Sequence, residues 1–416
     1  MNGRTLLLAS FGALVVLHGA YATPSVEIES VIQRWPWNNK VDITYKVMDG
    51  QNLVNGIYYK LVFTVTVGGS TYTIDGVTDV GASANTGTHT ITWTAPSGIK
   101  PSTASVFASL YEADAPSGDD YLIVDLATGS VSYEGLLASQ EASNQRYNAA
   151  LYKTDKLVLR RVAAGGTYPT GDNANFPAKN SARTWTTDRD YYIGIFMVTQ
   201  SQYAKVMGSN PSTMKTEIEG DTVAHRPVEH VAWTSLRGVA SAVPTNAVEA
   251  DANGGFLPRL KAKTGLGFDL PTEVMFEIAT RAGATSVYSW GGSLNHDYIV
   301  YYGNTSESPL AVGSKKPNDW GLYDTAGNMW EWMLDGSGTP DGSSDPTNSN
   351  MANKVDPWTP TVGNGRHVRL RGGVSWQETR DTDVANYSRA SCRNDGSATT
   401  SGSTAISFRV VCIKEP

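Results

Sequence analysis

A chain of 416 residues, 40% of them hydrophobic, can bury a large core, and its length suggests two or three domains. The net charge of -7 and the pI near 5.4 argue against a nucleic-acid partner, because phosphate binding relies on clustered Lys and Arg.

Met1 to Ala22 reads as a secretory signal, with Arg4 in the n-region, Leu6 to Leu17 as the apolar h-region and Ala20-Tyr21-Ala22 as an A-x-A cleavage site. Cleavage after Ala22 is expected. The apolar run is shorter than the roughly 20 residues of a spanning helix, and no later segment reads as a span. The mature chain is therefore expected to be secreted, periplasmic or at the cell surface, with no membrane span.

Residues 23–113 alternate apolar and polar: Val41, Ile43, Tyr45 and Val47, then Leu61, Phe63, Val65 and Val67, then Ile91 and Trp93, then Val106 and Ala108. Gly68-Gly69 suits a two-residue hairpin turn. Short strands at this spacing indicate an all-β sandwich of immunoglobulin type. Trp35-Pro36-Trp37 fits either a carbohydrate platform or core filling. Residues 114–154, which include a strand-like run from Tyr121 to Leu126, read as a connector.

A different texture begins at residue 155. Leu157 to Val162 and Tyr191 to Val198 read as strands. Thr199 and Gln202 form a capping box for a helix closed by Gly208. Leu257 to Thr264 reads as a short helix ended by Gly265. Met275, Ile278, Ala279 and Ala282 give the next helix one apolar face, with Gly283 as its stop.

Pro317 to Trp332 crowds three tryptophans, a tyrosine, two glycines and three carboxylates into one segment. Asp324, the carbonyls near Gly327 and Met329, and Glu331 form a run of hard oxygens suited to calcium. The alternative is a tight loop whose carboxylates accept backbone hydrogen bonds. Cys392 and Cys412 are the only cysteines, and export permits a disulfide between them. Their segments, Asn386 to Arg393 and Ile406 to Ile413, read as strands able to pair; two buried thiols are the alternative. Arg366, Arg369, Arg371 and His367 suit either an anionic ligand or carboxylate pairing.

Several motifs in one order resemble the formylglycine-generating enzyme, or sulfatase-modifying factor, family. They include Tyr191-Tyr192-Ile193-Gly194, Asn210-Pro211-Ser212, Arg226-Pro227-Val228, Leu270-Pro271-Thr272-Glu273, Gly321-Leu322-Tyr323-Asp324, Gly327-Asn328-Met329-Trp330-Glu331-Trp332, Arg371-Gly372-Gly373 and Phe408-Arg409-Val410. The likeness runs from about Lys156 to Cys412. It implies a loop-rich, C-type-lectin-like α+β domain at 155–416, and a structural calcium on the side chains of Asp324 and Glu331 and the carbonyls of Gly327 and Met329.

Activity is not implied in the same way. Family oxidases bind copper through two cysteines shortly after the Arg-Gly-Gly motif, thiolate being the ligand type that selects Cu(I). Here Gly372 to Asp383 contains no cysteine, so copper chemistry is not expected. The reading is a calcium-stabilised module that binds a protein or glycan through the loops between Gly327 and Gly372. The competing reading is an oxidase, of formylglycine-generating type or using other ligands such as His225, Glu229 and His230.

Overall fold

The computed structural model describes residues 25–33, 40–48, 59–67, 70–74, 87–95, 105–112, 118–137, 139–172, 182–187, 189–216, 218–238, 254–305, 308–337, 367–373, 381–397 and 402–413. The signal segment, Trp35-Pro36-Trp37, Arg366 and Val374 to Arg380 lie outside them. Contacts divide the chain into two units, Met1–Pro116 with Gly135–Leu151, and Ser117–Glu134 with Tyr152–Pro416.

The first unit is built from β1 (Ser25–Gln33), β2 (Lys40–Met48), β3 (Tyr59–Val67), β4 (Ser70–Ile74), β5 (Gly87–Thr94) and β6 (Ser105–Glu112). They form two antiparallel three-stranded sheets, ordered β1-β2-β5 and β4-β3-β6. Period-2 alternation explains the shared core: Val41, Ile43, Tyr45 and Val47 of β2 meet Phe63, Val65 and Val67 of β3, with Trp93 and Val106. Threonines fill the other face, where Thr44 bonds Thr90 at 3.1 Å and Thr92 bonds Asp42 at 2.7 Å. Helix α1 (Gln140–Tyr147), capped by Ser139, is grouped with this unit, and a single turn, α2 (Leu151–Thr154), follows.

The stretch read as a connector contributes to the second unit. Its strands β7 (Tyr121–Asp125) and β8 (Val131–Glu134) extend a six-stranded antiparallel sheet. The rest of that sheet is β9 (Lys156–Val162), β12 (Tyr191–Gly194), β13 (Phe268–Asp269) and β18 (Val411–Ile413), in the order β13-β18-β12-β9-β7-β8. Leu122 and Val124 belong to the core of this sheet, which accounts for the apolar run Tyr121 to Leu126. A hairpin of β10 (Thr167–Thr170) and β11 (Arg183–Thr186) stands apart in pairing. A four-stranded sheet is ordered β16-β15-β14-β17, from β14 (Trp330–Ser337), β15 (His367–Arg371), β16 (Asn394–Ser397) and β17 (Ile406–Ser407).

Helix α3 (Gln200–Met207) has the expected Thr199 and Gln202 capping box and the left-handed Gly208. A short helix α4 (Trp233–Arg237) follows. In α5 (Phe256–Thr264), Phe256 stacks on Tyr203 of α3 with centroids 5.4 Å apart. The next helix, α6 (Glu273–Arg281), departs from expectation: all nine residues are buried, not one face, and its left-handed cap is Ala282, one residue before Gly283. Its apolar side, Val274, Met275 and Ile278, packs on Tyr191, Ile193 and Val411. Its polar side carries Glu273 and Glu277 into a nest of arginines.

There Arg393 binds both oxygens of Glu273, with Nε to Oε1 at 2.9 Å, and Arg371 pairs with Glu277. Arg281 Nε donates to Glu277 Oε1 at 2.9 Å, and Arg369 lies 3.7 Å from Glu273 and pairs outward with Asp395. The arginine-rich strand thus pairs with carboxylates. Asn386 to Arg393, expected as a strand, instead ends α7 (Asp381–Tyr387) and turns into β16.

Because both guanidinium partners of Glu277 are buried, Glu277→Ala should cost about 3–5 kcal/mol in urea denaturation. Glu277→Met combined with Arg371→Met should cost less than that single change, since no charge is left unpaired. The exposed Lys316–Asp297 pair is the control, and Asp297→Ala should leave the unfolding midpoint unchanged.

Candidate functional site

The tryptophan-rich turn is clamped by Asn318. Its Nδ2 donates to the carbonyls of Ala279 and Thr280 at 2.8 and 2.9 Å, while its Oδ1 accepts from the amides of Trp320 and Leu322. Leu322 to Glu331 are all buried. Gly327 is required by space and by angle: at φ 95°, a Cβ there would sit 2.6 Å from the Val300 carbonyl oxygen. Asp324 adopts φ 52°, a strained region for a side-chain-bearing residue.

Each expected ligand has a defined place. Asp324 Oδ2 accepts from the Gly313 amide at 2.8 Å, and its buried Oδ1 has no hydrogen-bond partner among the described residues. Both oxygens of Glu331 accept from Arg409, at 2.7 Å each. The Gly327 carbonyl accepts from the Met329 amide at 2.9 Å. Met329's carbonyl oxygen and Glu331 Oε1 converge on Gly372, lying 3.2 and 3.6 Å from the point a Cβ would occupy. Arg409 Nη2, while holding Glu331, also donates to the backbone carbonyl of Asp324 at 3.4 Å, and the Arg409 charge acts on the Asp324 carboxylate from nearby.

Arg409 went unassigned in the sequence. It is fully buried and also donates to the carbonyls of Gly194 and Tyr323, so one guanidinium ties β12, the turn and β14 together. Its signal was a lone arginine inside an apolar strand-like run, Phe408-Arg409-Val410-Val411, which demands a buried acid. Two acids facing one arginine leave a negative charge without a contacting cation. Burial accordingly pushes Asp324 up to about 6, against the opposing pull of the Gly313 amide and Arg409, and it also raises Glu331.

The residues fit calcium in kind: an unpaired carboxylate oxygen, a backbone carbonyl and a carboxylate with lone pairs to spare are hard donors. Among the described residues, no three His, Cys, Asp or Glu side chains gather as a metal cage, so any ion here would depend on backbone carbonyls.

A second unassigned group is Lys153, whose ammonium lies 5.5 Å from the centre of the Phe196 ring. Burial lowers it to about 8, while the charges of Asp324 and Asp221 pull it back up. Above this region, three successive amides are pinned: Ala311 to Asp221 Oδ1, Val312 to the His225 carbonyl and Gly313 to Asp324 Oδ2.

The expected sulfur bridge is not formed. Cys392 and Cys412 are both unbridged thiols and both buried. Cys412 lies on β18, paired with β12 and β13, whereas Cys392 leads into β16, which pairs with β15 in the other sheet. Burial pushes the Cys392 thiol up to about 12. The histidines do not join a metal set either. His230 is exposed with Nδ1 3.6 Å from Glu229 Oε2, and Glu229 is occupied by the amides of Thr213 and Met214.

A family model for the sulfatase-modifying factor enzyme 1-like domain matches residues 151–413. The chain belongs to this family. Its relatives include the chaperone protein LppX of Paenibacillus barcinonensis, 29% identical over 244 residues that cover 50% of this chain and 80% of that one. The formylglycine-generating enzyme of Streptomyces coelicolor is 30% identical over 236 residues, which cover 48% of this chain and 64% of the enzyme. Among solved structures, Treponema denticola variable protein 1 superposes with a TM-score of 0.48 at 24% identity, over 62% of this chain and 95% of that chain. The sulfatase-modifying-factor domain therefore contains both β14 and β15, and with them the Asp324 turn and Arg371-Gly372-Gly373.

Lys153 gives the domain a measurable pH signature. Its folded-state value near 8 lies below the ordinary 10.5, so between these values the unfolded chain binds more protons and stability rises with pH. Thermal unfolding should show Lys153→Met stabilised relative to the parent at pH 7, with the difference shrinking towards pH 10.

Proposed function

We propose that this chain is an exported sulfatase-modifying-factor family protein that works as a calcium-braced binding module, without copper oxidase chemistry. The position of the thiols carries this reading. Gly372 to Asp383 contains no cysteine, and the two cysteines further on, Cys392 and Cys412, are buried and unbridged, with burial disfavouring the Cys392 thiolate. Burial thus disfavours the thiolate that copper ligation or nucleophilic attack would use near neutral pH. The relative named a chaperone supports a role in binding a partner.

Calcium would be held by Asp324 and Glu331 through their side chains and by Gly327 and Met329 through their carbonyls. It would supply the positive charge that Arg409 alone leaves wanting, and so brace the turn beside β15. The unpaired Asp324 Oδ1 and the convergence of Met329 and Glu331 beside Gly372 support this assignment. The partner would be a protein or a glycan, met by loops between Gly327 and Gly372; residues 338–366 of that stretch lie outside the described ones.

The N-terminal region, 23–113, is read as an immunoglobulin-like sandwich serving as spacer or adhesive module. Two three-stranded antiparallel sheets on one core support it. The signal at Met1 to Ala22 supports export to the periplasm, the cell surface or the medium. The formylglycine-generating relatives favour a second reading, an oxidase acting on exported proteins.

Two measurements separate these readings. Purified protein given copper, oxygen and a sulfatase-motif cysteine peptide should form no formylglycine; turnover would overturn the binding-module reading. Excess calcium should raise the melting temperature of chelator-treated protein by about 5 °C, and Asp324→Ala should abolish that response. An equal rise in the variant would remove calcium from this turn.

A further inference from the structure

Beside the first turn of α3 opens a cavity of about 590 Å³, whose side chains the calcium reading does not use. We propose that it binds a sugar-sized ligand bearing a phosphate or sulfate ester.

Each side-chain oxygen of Gln200, Asn210 and Asp221 already holds a donor. Gln200 Oε1 accepts from Asn210 Nδ2 at 2.9 Å, and Asn210 Oδ1 accepts from the Ser212 amide at 3.0 Å. Asp221 gives one oxygen to Arg226 Nε at 2.6 Å and the other to the Ala311 amide at 2.8 Å. What the wall still offers is the Lys215 ammonium with the hydroxyls of Ser201 and Thr222, none of which has a side-chain partner among the described residues. A cationic ammonium beside two hydroxyls that can donate favours a ligand rich in acceptor oxygens.

Charge points the same way. Arg226 is wholly buried against Asp221 and neutralises it, and its Nη2 has no hydrogen-bond partner among the described residues. Lys215 therefore sets the sign of the lining. The volume lies within the range of small-molecule sites, and exceeds what a bare oxyanion needs. Ala204 and Val223 supply apolar surface for the body of such a molecule. The Gln200–Asn210–Ser212 chain holds the wall before any ligand arrives, which lowers the ordering cost of binding.

Calorimetry on the full chain with glucose 6-phosphate, glucose 6-sulfate and glucose tests this site independently of the calcium turn. At least one ester should bind, with glucose at least tenfold weaker, and the tighter ester names the source of the oxyanion. Lys215 is exposed, so Lys215→Ala should keep the parent's melting temperature while weakening the ester at least tenfold, and Lys215→Arg should restore most of it. Binding of glucose as tight as of the esters, unchanged ester affinity in Lys215→Ala, or no heat with any probe would each overturn the proposal.

Discussion

The second unit depends on pairing two buried glutamates of one helix with arginines from elsewhere in the chain. Glu273 and Glu277 are one helical turn apart and share a side of α6, while Arg369 and Arg371 are two residues apart and share a face of β15. The helix period and the strand period meet here. Slipping β15 by one residue would turn both arginines away, taking Arg371 from Glu277 and leaving that buried acid to Arg281 and Glu273 to Arg393. Such pairing is weak as net stabilisation, since desolvation consumes most of the Coulombic gain. It is strong as specification of register, because the alternatives are so costly.

The same logic recurs at the tryptophan-rich turn. Arg409 is to Glu331 what Arg393 is to Glu273, a fully buried guanidinium holding both oxygens of one acid. The difference is Asp324, a second acid drawn towards the same cation with one oxygen left over. In the arginine nest around α6 every guanidinium touches a carboxylate, Glu277 serving both Arg281 and Arg371. At the turn the Asp324 carboxylate makes no contact with a cationic side chain among the described residues and only feels the charges of Arg409 and Lys153, a setting in which a divalent ion is useful.

Loops can be long in this domain because their fixed points are polar and buried. Asn318 anchors the start of the turn to the end of α6, and three consecutive amides at 311–313 are tied to Asp221, His225 and Asp324. The scaffold thus holds without any sulfur chemistry. In this member of the sulfatase-modifying-factor family the fixed points are buried polar groups, and both thiols are buried and unbridged.

The signals legible in the sequence were local ones. The Thr199 and Gln202 box, the Gly208 and Gly265 stops and the alternation along β2 and β3 are signals within a few residues, and the backbone follows them directly. The motif order likewise identified the family. Tertiary structure alone decided that α6 is buried all round, that residues 381–387 form a helix, that the connector's strands join the large sheet and that the cysteines stay apart. Each of those outcomes depends on partners far away in sequence. A glutamate tolerates burial only if an arginine some hundred residues later arrives opposite it, and nothing in its own neighbourhood records that.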